Sequence, residues 1–118
     1  WLKWENSLAS MQKSMNNYIP QINYALAFSR IENHYFYNKG FLESDNYILS
    51  NSKNFDKIPG IIIQGRYDMV CPPNSAIKLN NAWPKSELKI IDFSGHAMSE
   101  PEISRELIKA TEKFKNYS

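Results

Sequence analysis

The chain has 118 residues and a formal net charge of +2, enough for one modest domain or part of a larger one. Its lysines are scattered singly, so no basic cluster is dense enough to follow a nucleic-acid backbone. One cysteine, Cys71, excludes an intrachain disulfide and points to a reducing compartment, and no apolar run reaches the roughly 18 residues that span a bilayer.

Taken in chain order, Trp1, Trp4, Leu8, Met11 and Met15 are spaced by 3, 4, 3 and 4, which predicts a helix. Pro20 in "NNYIPQ" ends it. A second amphipathic stretch, Ile22 to Tyr37, predicts another helix, with Gly40 as its C-cap. Residues 41–57 are mixed and polar, with room for one short helix around "SDNYILSNS". Then the period changes. Ile58 to Gln64 is almost wholly apolar, as parallel strands covered on both faces are. "PPNSAIKLNNAWP" reads as a turn and a helix that ends before Pro84, and "ELKIIDF" as a second strand. "SEPEISRELIKATEKFKNY" predicts a terminal helix, with Ser99 as N-cap, Pro101 and two glutamates in the first turn and lysines in the last.

Two helices followed by strand–helix–strand–helix imply an α/β fold whose second half is a βαβα unit in a parallel sheet. Two strands do not make such a sheet alone, so more of it is expected before Trp1. In open α/β sheets, chemistry collects at the carboxyl ends of the strands. Asp68 and His96 lie just past two such ends, in "GRYD" and "SGHAMSE". A carboxylate beside an imidazole fixes its tautomer and stabilises the imidazolium formed in proton transfer. This is the Asp-then-His order of an α/β-hydrolase triad. A strand-end Asp is also a common turn residue, and that reading stands beside the first.

"PGIIIQGRYDMVCPP", "AWP" and "SGHAMSEPE", with "WLKWE" and "SRIENHYF" upstream, resemble proline iminopeptidase, a serine aminopeptidase family of the α/β-hydrolase superfamily. The resemblance runs in register from Trp1 to about Phe114 and implies release of N-terminal proline from peptides, without a cofactor. It implies that residues 1–38 end a helical cap and that residues 39–118 are the C-terminal part of the catalytic core. It implies Asp68 and His96 as triad members, Glu5 and Glu32 as ligands of the substrate's charged imino group, and Phe36 as a wall of the proline-ring pocket.

The nucleophile motif G-x-S-x-G is absent from the sequence. Ser94 lies on the wrong kind of turn, and Ser75 and Ser99 read as helix-start residues. The chain is therefore expected to be a C-terminal fragment, inactive alone, of a cytoplasmic enzyme acting on small peptides with no nucleic-acid or membrane partner. Another capped α/β-hydrolase (an esterase or epoxide hydrolase) and a non-catalytic fragment are the alternatives. Cys71 reads as a small buried hydrophobe, His34 as structural and Arg66 as the partner of a core carboxylate. Two histidines 62 residues apart and one cysteine give no zinc-site spacing.

Overall fold

A computed structural model describes residues 1–11 and 21–117. The helices are α1 (Leu2–Ala9), α2 (Ile22–Tyr37), α3 (Tyr47–Ser50), α4 (Asn74–Ala82) and α5 (Pro101–Phe114); the strands are β1 (Gly60–Gly65) and β2 (Ser86–Ile91). Single 3₁₀ turns at Lys39–Phe41 and Ser52–Asn54 flank α3. Among the described residues no helix is long and apolar enough to cross a membrane.

The strands pair in parallel, Gly60 opposite Ser86 through Gly65 opposite Ile91. Alternate residues of β1 face opposite sides. Ile61 and Ile63 share a cavity of about 380 Å³ with Leu107, Ala110 and Phe114 of α5. Ile62 and Gln64 share one of about 440 Å³ with Ala76 and Leu79 of α4. One helix on each face explains why β1 is apolar in succession rather than alternately. Lys89 of β2 is tied to Glu106 of α5 at 2.9 Å, and Lys113 of α5 to Glu87 of β2 at 2.9 Å. The architecture is the expected α/β class, with a parallel sheet and flanking helices, consistent with part of an α/β-hydrolase.

The core is thin. Leu2, Ala76 and Ile103 are the buried hydrophobic side chains among the described residues, and many large apolar side chains stay exposed. The radius of gyration is 16.1 Å, against about 13.5 Å for a compact chain of this length.

Strand β1 starts at Gly60 rather than Ile58, and three helix ends also differ from expectation. Helix α1 stops at Ala9, and Ser10 is extended (φ −137°, ψ 142°). The carbonyl of Ala9 accepts instead from the His96 and Ala97 amides, at 2.8 and 2.7 Å, so a tertiary partner has replaced the next helical turn. The rest of that predicted helix, including Met15, and the break at Pro20 lie outside the described residues. Helix α2 is capped by Asn38 rather than Gly40: the Asn38 side chain donates to the His34 carbonyl at 2.8 Å. Gly40 follows within a left-handed run from Lys39 to Phe41. The N-cap of α5 is Glu100, not Ser99, with Pro101 opening the helix.

Candidate active site

Strand β1 ends at Gly65 against the loop after β2. A Cβ at Gly65 would come within 1.9 Å of the Gly95 carbonyl oxygen, so only glycine permits this approach. The Tyr67 amide donates to the Ser94 carbonyl at 2.9 Å, and the two loops close on each other. This places Asp68 and His96 side by side. His96 Nδ1 and Asp68 Oδ2 are 3.0 Å apart.

Asp68 is 6% exposed and its carboxylate is fully engaged. Oδ1 accepts the amides of Val70 (3.0 Å) and Cys71 (2.7 Å). Oδ2 accepts His96 and the Gln64 side-chain amide, at 3.1 Å for the latter. Four donors match the acceptor sites of an ionised carboxylate. The two readings of a strand-end Asp therefore hold together: one oxygen shapes the turn and the other meets the imidazole. Because a carboxylate only accepts, Nδ1 carries the hydrogen, and in the neutral ring Nε2 keeps its lone pair. The His96 side chain is 41% exposed, which leaves the ring accessible.

Helix α1 brings Glu5 within electrostatic reach of His96, and α2 brings Glu32 beside Glu5. The two carboxylates lie within reach of a shared hydrogen bond. Burial, then that bond and the Glu32 charge, raise the Glu5 carboxyl above its ordinary range, while His96 pulls it down. Glu5 Oε2 is buried with no hydrogen-bond partner among the described residues. Such an atom is costly unless something occupies its site. The Trp1 indole donates to Glu32 Oε2. Glu32 and Phe36, one turn apart on α2, line a cavity of about 400 Å³ together with Trp1, Leu26 and Arg30; Glu5, Asp68 and His96 do not line it.

No protein-family profile matches the chain. Individual relatives do. It is 47% identical over 117 residues to a proline iminopeptidase of Arabidopsis thaliana, covering 98% of this chain and 31% of that protein. It is 43% identical over 116 residues to a proline iminopeptidase of Xanthomonas citri, covering 97% of this chain and 37% of the relative. The chain is homologous to the C-terminal part of proline iminopeptidases. The match to the protein of that name from Neisseria gonorrhoeae, 38% over 113 residues, again covers 95% of this chain and 35% of the relative. The chain thus spans about a third of the length of the iminopeptidases it matches.

Some residues sit elsewhere than expected. Cys71 is exposed rather than buried. Partial burial and the charges of Asp68 and Glu5 push its thiol pKa up, which suppresses the thiolate and disfavours a nucleophilic role. Arg66 pairs with Asp92, but at the surface, not with a core carboxylate. His34 is exposed, its ring 5.4 Å from that of Phe41. Ser94 is buried and Ser75 lies in the first turn of α4. Sequence reasoning missed Gln64, which braces Asp68, and the Trp1 contact to Glu32. The spacing of Gln64 four residues before Asp68 was the available signal, but a polar residue at a strand end has many ordinary uses.

Proposed function

We propose that the complete protein is a serine aminopeptidase that releases N-terminal proline from peptides, and that residues 1–118 supply its acid–base pair and its amine-binding carboxylates. In this reading residues 1–38 end a helical cap, residues 39–118 belong to an α/β-hydrolase core, and the nucleophilic serine comes from a segment outside these residues. The enzyme works in the cytoplasm, in keeping with a single exposed cysteine.

The observation that carries the reading is the Glu5 carboxyl, which has a buried, unpartnered Oε2 and interacts with both Glu32 and His96. Two carboxylates pressed together repel unless a proton or a cation lies between them. An N-terminal proline offers a protonated secondary amine with two N–H donors, one for each, and Phe36 offers an apolar wall to the ring. His96 Nε2 takes the serine proton as the hydroxyl attacks the prolyl carbonyl, and Asp68 steadies the imidazolium. The same proton passes to the leaving amine as the peptide bond breaks. Water, deprotonated by His96, then attacks the ester carbonyl, and the proton passes from His96 to the serine oxygen as the ester bond breaks and proline leaves. A generic capped hydrolase would need the Asp68–His96 pair but not the paired glutamates.

The test is hydrolysis of a prolyl-arylamide by the complete protein, beside an N-acylprolyl-arylamide and a simple ester. Turnover of the free prolyl substrate, with the acylated one poor, is expected. Equal cleavage of both overturns the aminopeptidase reading.

A pH dependence accompanies it. Burial and Glu32 raise the Glu5 pKa, so Glu5 stays protonated to a higher pH than an ordinary glutamate. Amine binding needs it ionised. KM for the prolyl substrate should therefore fall as pH rises through the Glu5 pKa, while KM for the ester stays flat. Steady-state kinetics over the weakly acidic range checks this; parallel profiles for the two substrates would contradict it.

A further inference from the structure

Glu100 is 2% exposed. It occupies the N-cap position of α5 but makes no side-chain cap hydrogen bond there. Its Oε1 instead accepts the amides of Gly95, at 3.0 Å, and Met11, at 3.3 Å. One buried oxygen thus joins the residue before His96 to the chain just past the end of α1. The same two segments are joined again by the Ala9 carbonyl, which takes the His96 and Ala97 amides at 2.8 and 2.7 Å. Gly95 sits between these acceptors: a Cβ there would stand 3.1 Å from both the Ala9 oxygen and Glu100 Oε1. The end of β1, the His96 loop and the end of α1 form a stack, pinned by a carboxylate.

Burying a carboxylate is unfavourable unless its hydrogen bonds repay the lost hydration. Starting α5 requires nothing of the kind, since a serine or aspartate caps a helix at the surface. The orientation of Glu100 serves the junction. We propose that Glu100 is a positioning residue that fastens the Glu5-bearing helix to the His96 loop, so that the amine-binding and proton-transfer groups keep one register. What the register is for rests on the proposed function; the fastening itself does not.

The test uses Glu100→Ala and Glu100→Gln in the complete protein, the second keeping an acceptor oxygen without the charge. Amide hydrogen exchange is the readout that needs no activity. In Glu100→Ala, exchange in residues 8–11 and 94–97 should rise together, by about 10- to 100-fold, the scale of hydrogen bonds to a charged acceptor. Exchange in β1 and in the middle of α5 should hold. Kinetically, kcat for a simple ester should fall about tenfold through His96, and KM for the prolyl substrate should rise about tenfold through Glu5. Glu100→Gln should lie between wild type and Glu100→Ala on every measure, and it carries the test alone if Glu100→Ala does not fold. Faster exchange throughout the chain or in one segment only, or unchanged kcat and KM per folded molecule, would overturn the proposal. If the wild type cleaves neither substrate, the functional reading fails, and the exchange pattern alone decides the fastening.

Discussion

Asp68→Asn in the complete protein should lower kcat about 10⁴-fold while leaving KM and the fold nearly intact, by analogy with the same change in serine proteases. The geometry says why both halves of that expectation hold. Asp68 Oδ1 accepts the Val70 and Cys71 amides, and an asparagine oxygen accepts them equally well, so the turn survives. The other position changes sign. Where Oδ2 accepts from His96 and Gln64, asparagine presents a second donor facing two donors. The cheapest repair is for His96 to move its hydrogen to Nε2 and accept at Nδ1. The ring then has no lone pair for the serine proton. A factor of 10⁴ corresponds to about 5.4 kcal/mol of transition-state stabilisation, far more than one neutral hydrogen bond supplies. The loss should be equal for a prolyl-arylamide and a simple ester, since both need the same base. Measured turnover reduced less than tenfold would remove His96–Asp68 from the proton-transfer machinery.

The sheet and its helices were legible because their signals are local and periodic: the apolar run from Ile58, the helical spacing before Pro84, the proline that opens α5. The misplaced end of α1 has a tertiary cause. Nothing in the apolar spacing of Trp1 to Met15 reveals that the Ala9 carbonyl will be taken by amides nearly ninety residues on. A backbone acceptor has no side chain to announce it. Glu100 was hidden in a similar way. A glutamate beside Pro101 fits a helix start, and only the fold shows its carboxylate turned from its own helix toward Gly95 and Met11. Cys71 failed for a different reason. Its residue type favours burial, but the tight turn built on Asp68 carries it to the surface. Proximity of Asp68 to His96 was inferred from topology, because parallel strands place consecutive carboxyl ends at one sheet edge.

If the proposed function holds, Glu32→Gln should separate recognition of proline from hydrolysis in general and lower kcat/KM for a prolyl-arylamide by roughly 10- to 100-fold, the worth of one charge-assisted hydrogen bond at about 1.5–3 kcal/mol. Glutamine keeps an oxygen for the Trp1 indole, so the side chain has reason to stay where the glutamate is. What it loses is charge. Two effects then oppose each other. The substrate's cation has one anion fewer, which weakens binding. Glu5, relieved of the neighbouring charge, ionises more readily, although burial, the larger cause of its raised pKa, remains. The loss in affinity should therefore come with an acid limb of kcat/KM displaced to lower pH. A simple ester, with no amine, should be cleaved as by the wild type at every pH. The direction of the limb matters more than the size of the loss. A substitution that merely loosened α2 would slow prolyl substrates too, but it would leave Glu5 facing an unchanged charge balance. A limb that stays in place or moves to higher pH, or an ester rate that falls in step with the prolyl rate, would show that Glu5 and Glu32 do not act as a pair on the substrate's nitrogen.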